Sequence, residues 1–567
     1  MSLLDVRGLR VSYEGVDAVR GLDFTLDAGE TLALVGESGC GKSTTALALL
    51  RLLPGNARLG GQALFEGRDL LQLSPRHMRQ LQGNALGMVF QEPLSSLNPV
   101  LTLGEQLTET LLTHTDLTRR QAAKRAEELF GLVQLPRPRA HLGEYPQHLS
   151  GGQRQRVMIA MAIACQPRLL IADEPTTALD VCVQAQILAL LDRLRRELRM
   201  GLLLITHDLG VVAQQADHVI IMHDGQALER RSNADLFSAA RHPYTQGLLN
   251  ASLGRDHGQH YLASRLPEIQ VTRTPGQPNA YSVSSTRYLP GHAPRPASHD
   301  TPPLLQVDNL SLGYGARDVL SGLSFDIGKR ETVGLVGESG CGKSTLSKAL
   351  LGLLKPRQGH IAFGGRDIAT FTATEQLTWR GQLQMIFQDP YAALNPRHSI
   401  DTLLDRVQRQ HGQSDARLRR KAREDMLDAV GLARNSLDRL PHQFSGGQRQ
   451  RIGIARALIV RPKLVICDEP VSALDVSTQA QILNLLVELR EAFDLSYLFI
   501  SHDLSVVRYF SDRVLVMHDA HIVEQATPHR LWQDPQHRYT QRLLAAIPGH
   551  RQPSIPLSSS LSFAVAC

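Results

Sequence analysis

The sequence predicts an α/β protein of two tandem domains, each a mostly parallel sheet core with an inserted helical subdomain, and three observations predict it. The decapeptide VGESGCGKST occupies residues 35–44 and recurs unchanged at 336–345, an offset of 301 residues. Short apolar runs flank it, such as TLALV (31–35), LLIA (169–172) and LLLI (202–205), the pattern of strands buried on both faces. Between such runs lies a stretch, 92–148, whose apolar residues follow a helical period instead.

The duplication organises the whole chain. At 567 residues it exceeds the roughly 250–300 at which single cores stop growing. Tyr13 pairs with Tyr314, Gln91 with Gln388, the SGGQRQR starting at Ser150 with that at Ser445, the DEP at Asp173 with that at Asp468, and His207 with His502, at offsets of 295 to 301. Solenoid units run only about 20–50 residues, so this is a duplicated domain. The first domain is expected over 1–253 and the second over 304–550. Between them, 254–303 is rich in Pro, Ser, Thr and His (TRTPGQPNAYSVSS, LPGHAPRPASHDTPP), a composition that buries little apolar surface and reads as a linker. The end, 551–567, reads as a disordered tail; its Cys567 is last rather than fourth from last, which does not fit a prenylation box.

Within the first copy, VMIAMAIA (157–164) is apolar all round and stops at Gln166-Pro167, so a buried helix is predicted there, leading into the strand LLIA. In RRQAAKRAEELFGL, Ala122, Ala126, Leu129 and Phe130 fall on one face of a predicted lobe helix.

Bulk properties exclude several classes. With 42% hydrophobic and 20% charged residues the chain is neither fibrous nor wholly disordered. No run approaches the roughly 20 apolar residues of a membrane span, and the start lacks a secretory signal. Cys40, Cys165, Cys182, Cys341, Cys467 and Cys567 form no C-x-x-C pair, so neither a zinc site nor a disulfide framework is expected. The net charge of +6, from 61 basic and 55 acidic residues, is too mild to point to nucleic acid.

The repeated loop carries the chemistry. Gly36, Glu37, Ser38, Gly39, Cys40, Gly41, Lys42, Ser43 and Thr44 follow a predicted strand and open a predicted helix, the context of a phosphate-cradling loop. Glycines let backbone N–H groups turn toward phosphates, Lys42 reaches the outer phosphate oxygens, and the Ser43 hydroxyl suits Mg²⁺. Gly337, Glu338, Ser339, Gly340, Cys341, Gly342, Lys343, Ser344 and Thr345 repeat the set. Asp173 and Asp468 end apolar strands, where a carboxylate holds Mg²⁺, and the adjacent Glu174 and Glu469 are placed to orient an attacking water. Cys40 and Cys341 need only be small enough to fit; the sharper alternative is that the helix N-terminus lowers their thiol pKa.

In order, Tyr13, the phosphate loop, Gln91, LSGGQ (149–153), LLIADEP, ALD (178–180) and His207 resemble the ABC ATPase family, nearly end to end and twice over. The second signature is FSGGQ (444–448), a mild departure at an apolar position. The resemblance implies that ATP lies in a head-to-tail sandwich. Ser150, Gly151, Gly152 and Gln153 would complete the Lys343 site, and Ser445, Gly446, Gly447 and Gln448 the Lys42 site. It also implies that Tyr13 and Tyr314 stack on adenine, that Gln91 and Gln388 sense Mg²⁺ and the lytic water, and that His207 and His502 contact the γ-phosphate. With Glu174 and Glu469 both present, two hydrolytic sites are expected.

EPLSSLNP (92–99) and DPYAALNP (389–396), with HPYTQGLL (242–249) and HRYTQRLL (537–544), are similar to the peptide/nickel importer ATPases in their fused, single-chain form. On the residues alone, the HPYTQ segments also read as a cap-and-helix motif. Some relatives carry a cysteine cluster after HPYTQ; 261–303 has none, so no iron–sulfur centre is expected. The resemblance implies two membrane-spanning permease subunits and a solute-binding protein as partners, no nucleic acid, and a place on the cytoplasmic face of a bacterial inner membrane. Peptides come first among cargoes, with glutathione or a nickel or other metal chelate as alternatives. An exporter ATPase is disfavoured by the LNP and YTQ segments. A ribosome- or DNA-acting tandem protein is disfavoured by the proline-rich linker and the absence of C-x-x-C pairs.

Overall fold

Strands that carry side chains only of the Val, Ile and Leu kind on both faces must be covered on both, and the central strands of each copy are. In the computed structural model, which describes residues 2–177, 179–253, 259–274, 279–288, 295, 302–315, 317–472 and 474–547, Thr31–Gly36, Leu169–Asp173 and Gly201–Thr206 are buried throughout. They lie in a six-stranded sheet ordered Gln226–Ser232, His218–His223, Thr31–Gly36, Gly201–Thr206, Leu169–Asp173, Leu86–Val89. Every neighbour is parallel except the edge strand Gln226–Ser232. The second copy repeats the six-stranded sheet around Thr332–Gly337.

Each domain also has a four-stranded antiparallel sheet, which the apolar runs do not announce. In the first it is ordered Val16–Leu26, Leu4–Tyr13, Ala57–Phe65, Arg68–Asp69. These strands bury one face, so their residues alternate, and register shifts interrupt the alternation. At one shift Gly61 lies against Gly8, where an added Cβ would sit 2.4 Å from the Gly8 carbonyl. The second domain builds the same sheet around Leu305–Tyr314.

The helical subdomain begins at Pro93–Ser96 and continues in Leu103–His114 and Arg119–Leu132, both opened by reciprocal capping boxes, Thr102 with Glu105 and Thr118 with Gln121. Ala122, Ala126, Leu129 and Phe130 are its buried face. The apolar helix runs Gly151–Ala162, and Gln166 takes φ 53° before Pro167. The second lobe, with Ile400–Gln410 and Ala416–Ala429, is fastened differently. Arg419 and Arg423 reach Asp405 at 2.8 and 2.6 Å, and Arg423 also meets the buried Gln408.

The linker reading of 254–303 needs correction where the structure describes it. Ile269–Thr272 pairs antiparallel with Ala280–Val283, and Ile269 enters the first domain's core beside Leu248 and Leu249. Tyr261 and Leu266 enter the second domain's core. The Tyr261 hydroxyl donates to Asp512 at 2.6 Å, and the buried Arg490 lies over its ring at 4.6 Å and donates to its oxygen. Low average hydrophobicity hid a few large anchors. The segment is a strap across both domains. The predicted tail, 551–567, lies outside the described residues.

The domains also meet directly. Pro243–Ala251 of the first packs on Val476–Phe493 of the second, and Arg538–Ala545 of the second on Val181–Leu198 of the first. Val181 belongs to the second domain's core cluster, and Val476 packs against the first's.

Candidate nucleotide sites

Steric demands fix the glycines of the phosphate loops. A Cβ on Gly36 would lie 2.2 Å from the Met222 carbonyl; one on Gly41, at φ 101°, would lie 2.5 Å from the Ala18 carbonyl. Gly342 takes φ 107° for the same reason, pressed against Leu320. Lys42 and Lys343 begin the helices Lys42–Leu49 and Lys343–Leu350 and are buried. A buried ammonium must be paired, and here the loop itself does it. Lys42 Nζ donates to the Gly36 and Glu37 carbonyls at 2.7 and 2.9 Å, and Lys343 to those of Gly337 and Glu338 at the same distances. Each loop thereby wraps its own lysine, with Ser38 and Gly39, or Ser339 and Gly340, at its rim and Thr44 or Thr345 in the first helical turn.

Ser43 Oγ donates to Asp173 Oδ1 at 3.1 Å, so hydroxyl and carboxylate already share one spot. Burial pushes the Asp173 carboxyl up, against the pull of Ser43. Burial and the neighbouring Glu469 push Asp468 up to about 6, against the pull of Lys343. Oxygen donors beside a carboxylate that burial disfavours as an anion suit a hard cation.

Glu174 and Glu469, one residue on, adopt φ 46° and 47°, a left-handed conformation uncommon outside glycine. Glu174 N donates to the Ile205 carbonyl and Glu469 N to that of Ile500, both at 2.9 Å, which pins the turn. Each carboxylate is held from several sides. Gln91 Nε2 donates to Glu174 at 2.9 Å and Gln388 Nε2 to Glu469 at 2.8 Å, while His207 and His502 approach at 3.3 and 3.1 Å. Thr177 Oγ1 donates to Glu174 at 2.9 Å. Burial alone would raise the Glu174 carboxyl, but His207, Thr177 and Lys42 hold it down, to about 2. Glu469 is lowered likewise, burial being outweighed by His502. Both histidines are raised in return: burial opposes their charge and the glutamate prevails.

Ser150 and Ser445 cap the signature helices Gly151–Ala162 and Gly446–Leu458, each in a reciprocal box with Gln153 or Gln448. Their first turns press on the helices behind them. A Cβ on Gly152 would lie 2.5 Å from Val183 Cγ1, and one on Gly447 2.5 Å from Thr478 Cγ2. Tyr13 ends its strand half-buried, and Tyr314 is 49% exposed. The pocket at the second loop is walled by its own domain, Tyr314, Ser339 and His518 among its residues. Between the domains lies another cavity, lined by His207, Asp208 and Thr177 of one and His502, Asp503 and Ser472 of the other.

The structure thus gathers loop, aspartate, glutamate, glutamine and histidine within each domain. It overturns the low-pKa alternative for the loop cysteines, because burial raises the thiols of Cys40 and Cys341 despite the adjacent lysines. The HPYTQ segments do form caps: His242 Nδ1 accepts from Tyr244 N and His537 Nδ1 from Tyr539 N, both at 3.2 Å. Sequence reasoning missed Thr177, the left-handed glutamates, and the reach of Tyr244 and Tyr539 to the phosphate loops. Only the repetition of HPYTQ and HRYTQ signalled the last.

Comparison with known sequences decides the family. The ABC transporter family matches residues 19–177 and 320–472, and the oligopeptide/dipeptide transporter C-terminal region matches 228–276 and 523–561. The chain belongs to the ABC transporter family. As an ABC protein of this kind it binds ATP, and its activity is ATP hydrolysis coupled to import. It is 45% identical over 574 residues to the glutathione import ATP-binding protein GsiA of Salmonella typhimurium, covering 96% of this chain and 89% of that one. The protein of the same name from Pectobacterium atrosepticum is 45% identical over 572 residues, with the same coverage of both chains, and that of Escherichia coli K12 is 43% identical over 575, covering 96% and 90%. Among solved structures, cbiO1 of Clostridium perfringens, part of the ABC transporter complex cbiONQ, is 28% identical with a TM-score of 0.38, covering 41% of this chain and 91% of that one. The C-terminal region matches extend into both the strap and the stretch beyond 550, so both copies of the ABC domain carry this appendage.

Proposed function

We propose that this chain energises import of short peptides, glutathione among them, across a bacterial inner membrane, from whose cytoplasmic face it engages two membrane-spanning permease subunits served by a solute-binding protein. The observation that carries this reading is the 45% identity, over 96% of this chain, with a glutathione import ATP-binding protein, joined to two copies of the oligopeptide/dipeptide C-terminal region. No described helix is long and apolar enough to cross a membrane, so the path itself is left to partners.

In this reading each ATP binds one domain's phosphate loop and the other domain's signature, Lys42 with Ser445 and Gly447, Lys343 with Ser150 and Gly152. Tyr13 and Tyr314 stack on the bases. ATP's outer phosphates draw Lys42 and Lys343 from the loop carbonyls that hold them. Mg²⁺, held by Ser43 and Asp173 with Gln91, or by Ser344 and Asp468 with Gln388, would neutralise charge on the phosphate oxygens. Glu174 and Glu469, kept ionised, accept hydrogen bonds from the attacking water and aim it, while His207 and His502 turn from the glutamates toward the γ-phosphate. Charge that spreads over phosphoryl oxygens needs donors on all sides, which a half-site lacks. Closure and hydrolysis are therefore one event, and reopening resets the permease.

The test is reconstitution in vesicles with the neighbouring permease pair. Binding protein loaded with glutathione or a short peptide is expected to stimulate ATPase several-fold and drive uptake. Retention on ribosomes without such stimulation contradicts the reading, and stimulation only by a loaded metal chelate moves the cargo.

A further inference from the structure

The two phosphate loops are tied unequally to the opposite domain. Ser477, the second residue of Val476–Phe493, donates its hydroxyl to Glu37 of the first loop at 2.5 Å. Its oxygen is also 3.2 Å from Asp475, but one hydrogen serves one acceptor, and Glu37 is nearer. Tyr244, buried on Pro243–Ala251, lies near enough for the Glu37 charge, after burial, to raise its phenol, with no hydrogen bond between them, and that helix packs on Val476–Phe493. Glu37 is therefore a junction of its own loop, its own HPYTQ helix and the opposite domain. Burial raises its carboxyl, opposed first by Ser477, so losing that donor weakens the anion there.

At the second loop the matching residue is Cys182, the second residue of Val181–Leu198. It lies near Glu338, whose charge, after burial, helps push the thiol up to about 11. A thiol is a weak donor. The tyrosine counterpart also differs: Tyr539 accepts from the Glu338 backbone N–H at 2.9 Å and stacks on His518 at 3.9 Å. The second loop is thus held by its own domain's tyrosine and lacks the hydroxyl tie.

We propose that Ser477 is a positioning residue that couples closure of the domains to the shape of the Lys42 loop, and that Cys182 leaves the Lys343 loop uncoupled, so the two sites differ in apparent ATP affinity although both hydrolyse. The serine acts through Glu37 and touches no nucleotide. This rests on the proposed roles of Glu174 and Glu469, which allow each site to be read alone.

In the Glu469→Gln chain, where the Lys42 site turns over, Ser477→Ala is expected to raise KM for ATP about tenfold, the worth of one hydrogen bond to a charged group, with kcat changed far less. Ser477→Thr restores KM by keeping the hydroxyl. In the Glu174→Gln chain Ser477→Ala leaves KM within about twofold, whereas Cys182→Ser lowers it several-fold by supplying the missing donor. Equal KM shifts at both sites from Ser477→Ala, no shift at either, or no response to Cys182→Ser overturns the inference. Turnover persisting in the double Glu174→Gln/Glu469→Gln chain overturns both this inference and the catalytic roles beneath it.

Discussion

At the level of single residues, the glutamates after each DEP aspartate carry the sharpest consequences. A group that aims and polarises water contributes about 10²–10⁴-fold, so Glu174→Gln or Glu469→Gln is expected to reduce turnover at its own site by at least about a hundredfold. Single-turnover hydrolysis on each variant measures it. Their pairing with His207 and His502 also sets a pH dependence for the nucleotide-free chain. The histidine pKa values are raised above 6.5 by the glutamates, so the pair's contribution to stability is complete below about 6.5 and is lost as pH rises through the raised values. Thermal melts from pH 6 to 9 are expected to show a decline that shrinks in His207→Asn/His502→Asn. The chemistry-bearing residues were legible because phosphate binding demands glycine, lysine and serine at fixed spacing. Thr177 and Ser477 were not, because a hydroxyl beside a carboxylate has no spacing of its own.

Elements were legible in proportion to how their burial shapes their composition. Thr31–Gly36 and Leu169–Asp173 are covered on both faces and read as apolar runs; the antiparallel sheets, covered on one face and interrupted by register shifts, did not. The strap escaped for another reason. Tyr261, Leu266 and Ile269 are its core anchors, too few to lift the average over a proline-rich stretch. Tyr261→Phe removes the hydroxyl shared by Asp512 and Arg490 and is expected to cost about 1–3 kcal/mol, and Tyr261→Ala about 3–5, read by denaturant midpoint. The signature helices make a second prediction at this scale. Gly152→Val or Gly447→Val collides with Val183 or Thr478 and displaces the helix N-terminus, so ATP still binds while turnover falls at the opposite domain's site.

Across the whole molecule, fusion and strap have one effect: each chain contains both phosphate loops and both signature segments, and its two domains already meet through Ser477 and Glu37 and through the crossed HPYTQ helices. In the proposed head-to-tail reading, closure is then intramolecular and independent of chain concentration, and one copy is expected to serve one permease pair. The measurement that tests this most directly is light scattering with nucleotide counting on the Glu174→Gln/Glu469→Gln chain in Mg²⁺ and ATP. The account predicts a particle with the mass of one chain holding two trapped ATP molecules. An ATP-dependent dimer of chains, or one trapped nucleotide per chain, would contradict it.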